Sequence, residues 1–578
     1  MERSSALIKK KYNSLLMSTL AMTASLYLSG ILDGIMVGRI LSPLAFSAIN
    51  LTLCISFLEN ILVALFTFGG NTLAVTYKGK RENEKANAVF TLSFFAGLLS
   101  AIVIAVVGLS LIKPTASLLG QHNSELEGLI SAYLVPLWLL TPFTSIINMT
   151  AAFSRTDGLK KLATSMPIIA NVINLVCDYI FMAVLGKGIA GAGWATVTGY
   201  AATSLLIIIY LKSDSRTVFF TKKAFKHIAL LKKIFSTGLP SSLVYVCNFL
   251  RLFFTNAIIL SATGSAGVQI ASVSFSLNSL CFIFIEGASM TLLPLLGALY
   301  GEKDIKGIRL SLKYGLIVTT ALCLIVMALS MLFPVQLASL YGLTNPEIVN
   351  VFKTTFRIVS LNVPILGLIY VMRTFFQATK QKGIANLLVV VDGFAAVVPL
   401  MWALSKINIY WLWASFPISK AVTVLITIIA VIICKKVQKK KNYLLLDEQE
   451  GAVFDFTIEN KVDAALEASE KAIAFCEANS VDKNYSTLVG VAIEELCVNT
   501  ARYAYSPQCK DIDVFIKISE EKIILRLRDN GKIFNPTEYV DDSGKVITGL
   551  QMVRSICSEI EYTRVIGYNT TVLSIDVK

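Results

Sequence analysis

Histidine is nearly missing from this sequence, and two motifs that often identify a function are missing altogether. Only two of the 578 residues are histidines, His122 and His227, and neither follows residue 441. A kinase that phosphorylates its own histidine needs that residue in a two-helix hairpin. Both histidines lie in loops of the first part with no such hairpin nearby, which argues against this class. The Gly-x-x-x-x-Gly-Lys-[Ser/Thr] phosphate loop is absent, which excludes an ABC-type pump. None of the ten cysteines forms a Cys-x-x-Cys pair, so we expect neither disulfides nor a zinc site.

Negative charge is scarce before residue 442 and abundant after it. Residues 1–441 carry 38 Lys and Arg against 15 Asp and Glu, whereas residues 442–578 carry 14 against 23. The change falls at the basic run Lys435–Lys441. The positive charge of the first part sits in short gaps between apolar runs, so it does not indicate a nucleic-acid partner. A mean hydropathy of +0.67 indicates a polytopic membrane protein.

Apolar runs of membrane-spanning length recur throughout the first part. A span needs about 20 apolar residues to cross about 30 Å of hydrocarbon. The first run is too long for the core of a cleaved signal peptide, so we take it as a span. The sequence predicts twelve spans, near residues 15–37, 44–68, 88–112, 130–152, 162–185, 190–211, 238–261, 268–293, 312–333, 350–372, 384–404 and 410–434.

Basic segments fall on one side of these predicted spans. Seven of them, counted from the N-terminus, lie in alternate gaps. Because positively charged loops stay in the cytoplasm, the sequence predicts a multi-pass protein of the plasma (inner) membrane with both termini cytoplasmic. Membrane lipids are then its immediate surroundings.

An internal repeat divides the spans into two sets of six. Gly79 follows the second span and Gly301 the eighth, and each opens a loop of mixed charge. The long basic loop 212–237 separates the sets, so we predict an N-lobe over 1–237 and a C-lobe over 238–434. Two related bundles around a midplane site are typical of transporters.

Ionisable residues inside predicted spans are costly and indicate function by default. Asn174 lies four residues before Asp178, so both side chains share one helix face. Their oxygens suit a Na⁺ ion, or the carboxylate alone suits a proton; pairing with a basic residue of another span is the alternative. The candidates are Asp33, Glu59, Asp178, Arg251, Glu286, Arg357 and Asp392.

Several short motifs in this part resemble one transporter family. Over residues 10–440 their order and spacing resemble the multidrug and toxic compound extrusion (MATE) transporters. The motifs are Asp33-x-x-x-Val37-Gly38-Arg39, Gly69-Gly70-Asn71, Asn171-x-x-Asn174-x-x-x-Asp178-Tyr179-x-Phe181, Gly186-x-Gly188-x-x-Gly191-Ala192-Gly193-x-Ala195-Thr196 and Gly238-Leu239-Pro240.

The resemblance implies two six-helix lobes that export small organic cations or drugs in exchange for Na⁺ or H⁺. It also implies an N-lobe cation site, whose matching positions here are Asp33, Asn174, Asp178 and Thr196. Other members of the family use a Glu on the seventh helix. This chain has Asn248, Arg251 and Asn256 in that span and no acid, which argues against a C-lobe cation site of that kind.

The segment after the basic run reads as a soluble α+β domain. We predict a linker over 435–451 and a domain over 452–578. Strands are expected near 452–458, 512–519, 522–528, 560–566 and 570–577, and helices near 462–478, 485–505 and 549–558.

Three blocks in this domain resemble GHKL-type ATP-binding domains (α/β sandwiches), and most closely the anti-sigma-factor serine kinases. They are Glu495-x-x-x-Asn499 on a helix, Asp529-x-Gly531-x-x-Phe534-x-Pro536 after a strand, and Thr548-Gly549-Leu550-Gln551 at a helix start. A turn and a solvated helix face would explain any one block alone. Two positions depart from the usual pattern, with Tyr503 in place of a His and Gln551 in place of a Gly.

Each block has a chemical reason. The amide oxygen of Asn499 suits the Mg²⁺ that bridges the phosphates of ATP. Glu495, one turn earlier, suits a catalytic carboxylate that orients the attacking group. Asp529 would accept the adenine amino hydrogen, Gly531 would let the backbone approach the ring, and Gly549 would present amides to phosphate.

Two main hypotheses follow, with a third in reserve. The first is a Na⁺- or H⁺-coupled exporter whose cytoplasmic ATP-binding domain regulates it or signals its state. The second is a membrane sensor whose tail phosphorylates Ser or Thr on a cytoplasmic partner protein. The third is a lipid-linked sugar flippase of the same superfamily. Whether ATP is hydrolysed, transferred or only bound stays open, and so does a homodimer, since related ATP-binding domains often pair.

Overall fold

The first six membrane helices form one continuous lobe. The computed structural model describes residues 3–80, 82–447, 451–504, 510–538, 548–565 and 567–577; residues 448–450 of the predicted linker and residue 566 of a predicted strand lie outside these ranges. The helices of this lobe are α1 (Ala6–Ile40), α2 (Pro43–Gly79), α3 (Asn83–Ser110), α4 (Ile112–Gly120), α5 (Ser124–Thr156), α6 (Lys160–Asp178), α7 (Gly188–Ser204) and α8 (Ile207–Leu211), with a π-helical segment Tyr179–Val184 after α6.

The second lobe repeats this arrangement. A 3₁₀ turn at Lys222–His227 precedes it. Its helices are α9 (Leu230–Gly301), α10 (Ile305–Leu332), α11 (Pro334–Leu340), α12 (Pro346–Ser360), α13 (Asn362–Ala378), α14 (Lys382–Val390), α15 (Val397–Ser405) and α16 (Ile409–Val437), with a π-helical segment Val391–Ala395 after α14.

The twelve predicted spans correspond to eleven long helical stretches. Among the described residues, eleven helices are long and apolar enough to cross a membrane. One of them is too long for a single crossing, and its backbone is non-helical at Gly264, with φ 63° and ψ −164°. Such a φ is accessible to glycine because it has no Cβ. Counted as two arms, this stretch gives the predicted twelve spans.

The repeat is visible in the helix ends. Boundaries in the second lobe lie 222 residues after their counterparts in the first, as the following pairs show: Gly79 and Gly301, Ser110 and Leu332, Thr156 and Ala378, Lys160 and Lys382. The two lobes are therefore copies of one six-span frame, and a residue in one lobe has an identifiable counterpart in the other.

Two glycines let α2 and α9 cross closely. A Cβ on Gly238 would lie 2.0 Å from the carbonyl oxygen of Leu65, and one on Gly69 would lie 2.3 Å from that of Ile234. Van der Waals contact requires well over 3 Å, so no larger residue fits either position without moving a backbone. Both glycines belong to the motifs noted in the sequence, and their role here is to join the two lobes.

The tail is an α/β sandwich, as predicted. Its elements are β1 (Ala452–Glu459), α17 (Val462–Ala478), α18 (Lys483–Tyr503), β2 (Asp511–Ile518), β3 (Lys522–Asp529), α19 (Thr548–Ile556), β4 (Glu559–Val565) and β5 (Tyr568–Asp576). The antiparallel sheet has the order β1-β2-β3-β5-β4. Alternate residues such as Val514, Leu525 and Leu573 form the core with the three helices. The opposite face carries charged residues that are nevertheless buried.

The glycine crossing predicts a specific loss of stability. We expect Gly238→Ala to lower the free energy of unfolding by about 1–3 kcal/mol, because the new methyl group overpacks the contact with Leu65. The measurement is the thermal unfolding midpoint in detergent. The matched control is Gly128→Ala, an exposed helical position where a Cβ meets nothing within 4 Å. Equal midpoints for the two variants would contradict this account of the crossing.

Candidate functional site

The N-lobe brings buried oxygen ligands together around Asp178. Asp178 ends α6 just before the π-helical segment, and its side chain is fully buried. Neither carboxylate oxygen has a hydrogen-bond partner in the part of the chain described. A π-helical turn widens the backbone spiral and often occurs at functional sites. A buried carboxylate without hydrogen bonds is energetically unfavourable in its charged form, so it is expected to bind a cation or take up a proton.

The other three predicted cation ligands lie beside it. Asn174 is one turn before Asp178, and its Nδ2 donates to Thr196 Oγ1 at 3.2 Å. Asp33 of α1 lies within electrostatic range of Asp178, so two carboxyl groups face each other. The structure therefore brings the predicted set together from three helices. Carboxylate, amide and hydroxyl oxygens fit a hard cation such as Na⁺.

A third carboxyl group of this lobe is also buried without a full set of partners. Glu59 of α2 is buried, and its Oε1 has no hydrogen-bond partner among the described residues. Tyr133 of α5 lies within electrostatic range of Glu59 as well as of the two aspartates. Glu59 thus belongs to the same acidic region of the N-lobe.

The C-lobe has a different polar content. Asp392 pairs with Lys420 at 2.6 Å, which is the pairing alternative considered for intramembrane acids. Glu286 interacts with Tyr27, and the Nε of Arg357 donates to the carbonyl of Met331 at an exposed position. Sequence reasoning missed Lys420, although a lysine in the middle of the last apolar run was the available signal.

In the tail, α18 holds two of the predicted nucleotide-binding residues on one face. Asn499 Nδ2 donates to Glu495 Oε1 at 2.9 Å. The amide therefore uses its nitrogen within the protein, which leaves its oxygen as the atom for a cation. The described residues contain no cluster of three His, Cys, Asp or Glu that could hold a metal ion. A Mg²⁺ ion here would need the phosphates of ATP as ligands beside Asn499.

The end of β3 forms the second part of this site. Asp529 Oδ1 accepts hydrogen bonds from the Gly531 amide at 2.7 Å and from Asn569 Nδ2 at 2.8 Å. A Cβ on Gly531 would lie 1.9 Å from the carbonyl oxygen of Ala504. The glycine is thus required by a close approach to the end of α18. Asn569 of β5, which orients Asp529, was missed by sequence reasoning because one polar residue in a strand carries no motif.

Gly549 joins the third block to the first. It lies in the first turn of α19, directly against the Glu495 carboxylate, and a Cβ there would lie 1.7 Å from Glu495 Oε1. A helix N-terminus favours negative charge. The structure therefore brings together Glu495, Asn499, Asp529, Gly531 and Gly549 at one end of the domain, where α18, β3 and α19 meet.

The outer face of the tail sheet is buried against the membrane part through an ionic cluster that the sequence did not predict. Arg3 NH1 lies 2.6 Å from Asp304 and 3.2 Å from Asp455. Arg528 lies 2.6 Å from Asp304 and also pairs with Glu302. We call this set the interdomain cluster; its members are Arg3, Glu302, Asp304, Asp455, Asp513, Arg526 and Arg528.

Asp304 is the centre of this cluster. It precedes α10 and caps it by accepting from the Gly307 amide at 2.9 Å. Burial alone would raise the pKa of its carboxyl, but Arg526, Arg528 and Arg3 outweigh burial and hold that pKa well below its usual range. A carboxyl whose pKa is depressed by folding stabilises the docked state above its ordinary pKa of about 3.9 and loses this effect only as the pH falls through the depressed value.

Apolar contacts and hydrogen bonds extend the docking surface. Tyr568 OH donates to the carbonyl of Leu7 at 3.2 Å, and the Ser4 amide donates to Thr457 Oγ1 at 2.9 Å. Leu445 and Leu446 of the linker are buried in the same apolar cluster as Leu7. The linker is therefore packed against the membrane part at Leu445 and Leu446.

The comparisons with known proteins agree with both halves of this description. Residues 19–180 and 240–402, together more than half of the chain, match the MatE family model, and residues 458–575 match that of the histidine kinase-like ATPase domain. The "Multidrug export protein MepA" of Staphylococcus haemolyticus is 26% identical over 65% of this chain and 83% of its own length, and that of Staphylococcus saprophyticus is 24% identical over 65% and 82%.

The solved structures agree as well. An inward-facing "multidrug resistance MATE family transporter of the MOP superfamily" covers 74% of this chain and 99% of its own, with a TM-score of 0.66 at 21% identity. At that identity the likeness concerns the fold. The chain therefore belongs to the MatE family and carries a C-terminal domain of the histidine kinase-like ATPase type.

Proposed function

We propose that this protein exports organic compounds across the plasma membrane in exchange for Na⁺ or H⁺, and that its ATP-binding tail regulates the exchange. Family membership supports export, and curated relatives of the same family are named multidrug export proteins. The positive charge of the basic loops supports a cytoplasmic location for both termini, and so for the tail. ATP is available on that side of the membrane.

Cation coupling rests on the N-lobe acidic region. Two neighbouring carboxyl groups in a medium of low dielectric constant cannot both remain ionised without a cation or a proton. Asp178 is fully buried with both oxygens unpartnered among the described residues, and Asp33 faces it. Asp33, Asn174, Asp178 and Thr196 would hold the coupling ion, and its arrival and departure would change the charge between α1, α6 and α7.

Regulation by ATP rests on one observation, which is that the nucleotide site and the docking surface share strands. Arg528, in the interdomain cluster, is followed directly by Asp529 of the nucleotide site. On β5, Asn569 contacts Asp529, while its neighbours Tyr568 and Thr570 contact Leu7 and Glu302 on the opposite face. A shift of β3 or β5 on nucleotide binding would therefore reach the loop between α9 and α10.

Asn499, Gly549 and Glu495 would hold ATP and act on it. Asn499 would ligate the Mg²⁺ that ATP brings, and the phosphates would approach the amides at Gly549. The Glu495 carboxylate lies against that glycine and accepts a hydrogen bond from Asn499. Glu495 would orient the group that attacks the terminal phosphate.

Replacing Asp178 tests cation coupling. We expect Asp178→Asn to reduce the acceleration of efflux by an imposed Na⁺ or pH gradient by about 5- to 150-fold, the usual size of coupling between two ligand sites. The measurement is drug efflux from proteoliposomes under each gradient. The control is Glu347→Gln, an exposed acid at the start of α12. Undiminished acceleration in Asp178→Asn would disprove the role of this site.

Replacing Asn499 tests nucleotide binding. Without the amide oxygen the Mg²⁺ loses a protein ligand, so we expect Asn499→Ala to weaken Mg²⁺-dependent ATP binding by about tenfold or more. A fluorescent ATP analogue titrated onto the full-length protein measures this. Asn484→Ala on the same helix is the control, because Asn484 is exposed. The proposal fails if both variants bind ATP as the wild type does.

Replacing Asp304 tests the link between the two halves. Removing one partner from a buried ionic cluster costs about 3–5 kcal/mol, while asparagine still caps α10. We expect Asp304→Asn to bind ATP normally but to lose the effect of cytoplasmic ATP on efflux. The loss should be the same from about pH 5 to 8, because the native carboxyl stays ionised throughout this range.

The matched control for Asp304 is its counterpart in the first lobe. Glu82 lies 222 residues earlier, is half-exposed, and among the described residues forms its ion pair locally, with Lys85 at 2.5 Å. Glu82→Gln should leave the response to ATP intact. If Asp304→Asn responds to ATP as fully as Glu82→Gln does, the interdomain cluster does not carry the signal.

A further inference from the structure

A polar cavity lies mainly in the C-lobe, with Asn50, Leu51 and Leu53 of α2 also in its lining, and it includes none of the N-lobe acidic residues. Its volume is about 220 Å³, below the roughly 300–1,000 Å³ of sites that enclose a whole drug-sized ligand. It is lined by apolar side chains, including Phe275 and Phe416, and by charged ones, including Arg251 and Lys420. A small organic molecule, or the head group of a larger one, fits this space.

Arg251 lines this cavity and lacks a counter-ion among the described residues. Lys420 is neutralised by Asp392 at 2.6 Å. Arg251 makes no ion pair with any described residue; its one side-chain hydrogen bond goes to Asn248 Oδ1, at 2.9 Å, and its Nε has no partner there. An unpaired guanidinium within a membrane is costly and marks a substrate or ion path.

Neighbouring amides lack partners too. Asn256 is only 8% exposed, yet its Nδ2 has no hydrogen-bond partner in the described residues, and the same is true of Asn278 Oδ1. Both side chains line the cavity together with Arg251. Buried polar groups are normally hydrogen-bonded, so these atoms point to a ligand.

Nearby acids do not cancel the positive charge. Arg373 also lines the cavity and lies within electrostatic range of Glu286. Even with Glu286, which lies outside the lining, counted beside Asp392, three basic side chains exceed the nearby carboxylates by one. Among the described residues neither Arg251 nor Arg373 forms an ion pair, so the cavity keeps a positive charge.

The fold does not require this charge. The counterpart of Arg251 in the first lobe, 222 residues earlier, is Ser29, and that of Arg373 is Ala151. Conversely, the counterparts of Asp33 and Asp178 in the second lobe are Thr255 and Leu400. The two copies of one frame thus differ in charge at these corresponding positions.

We propose that the C-lobe cavity binds an organic anion, with Arg251 holding its carboxylate or phosphate. A guanidinium matches either group through two parallel hydrogen bonds. Asn256 donates to the same group, and the aromatic rings receive the apolar body of the ligand. This replaces the organic cations expected from the family resemblance as the ligand class for this cavity. Its role as a transport site rests on the export proposed above; the binding itself does not.

A pair of probes with one ring system and opposite charge tests this. We expect 1-naphthoate to bind the purified full-length protein more tightly than 1-naphthylmethylamine. Arg251→Gln should weaken naphthoate binding by about 10- to 100-fold, since a charge-assisted hydrogen bond is lost, and should leave amine binding unchanged. Arg251→Lys should give an intermediate affinity, because lysine keeps the charge without the fork. Equilibrium dialysis measures the affinities of the wild type and of each variant for the two probes.

Two controls make the result decisive. Arg357→Gln removes an arginine outside the cavity and should change neither affinity. If Arg251→Gln does not fold, two other measurements replace it. One is the affinity of Arg251→Lys for naphthoate, and the other is competition between inorganic phosphate and naphthoate for the wild type. We expect phosphate to compete. The proposal is overturned if the wild type prefers the amine, or if Arg251→Gln weakens both probes equally.

A further experiment distinguishes a lipid from a soluble anion as the ligand, and it also distinguishes this inference from the proposed function. Displacement of naphthoate by phosphatidylglycerol, but not by phosphatidylcholine, assigns the site to a lipid phosphate, whereas displacement by neither assigns it to a soluble anion; both outcomes keep the site. Proteoliposomes that bind naphthoate without exporting any compound would refute the proposed function and leave this inference standing.

Discussion

Asp304 is one carboxylate shared by three guanidinium groups, and the position of the tail beneath the membrane helices depends on it. Each charge in the interdomain cluster loses its hydration on docking, and only the complete set offsets this cost. A half-formed cluster would leave buried charges without partners. The free energy of docking is therefore favourable only when the complete cluster forms. Such a contact is expected to have two states, docked and undocked.

This arrangement explains an unusual feature of the tail sheet. Its outer face carries Asp455, Asp513, Arg526 and Arg528 on alternate positions of three strands. A sheet face exposed to water would need only polar side chains at these positions, not charges of opposite sign set beside one another. The register sets Asp513 opposite Arg528 and aligns both with Thr457. Charges fixed by strand pairing form a rigid template, and the loop at Glu302 and Asp304 fits that template.

Run length and periodicity were sufficient for the architecture, and short motifs indicated which residues lie together locally. The twelve spans follow from the length of the apolar runs, and the five strands and three tail helices follow from apolar repeats of 2 and 3.6 residues. Glu495 and Asn499 share a face because they lie four apart, and Asp529 meets Gly531 within one turn. The interdomain cluster was beyond reach because Arg3, Asp304 and Arg528 come from three distant segments. Alternating charges along β2 and β3 were visible, but nothing indicated what would cover them.

The two lobes show how a duplicated frame can be divided between tasks. The helix boundaries have remained in step, so the backbone of each lobe is set by the same packing requirements. The intramembrane charges have not remained in step, with Asp178 on one side and Arg251 on the other. The fold therefore does not determine the charge at these positions, and the charge can differ between the lobes according to what each lobe binds.

The interdomain cluster also orders the events of folding. Arg3 and Asp513 are 510 residues apart along the chain, so their contact closes a loop that includes most of the sequence. Loop closure of this kind is slow and comes after local structure has formed. The membrane lobes and the tail sheet must each be complete before Arg3 finds its three carboxylates. Docking of the tail is therefore a late step in folding. A protein with a docked tail has already folded both its membrane part and its tail.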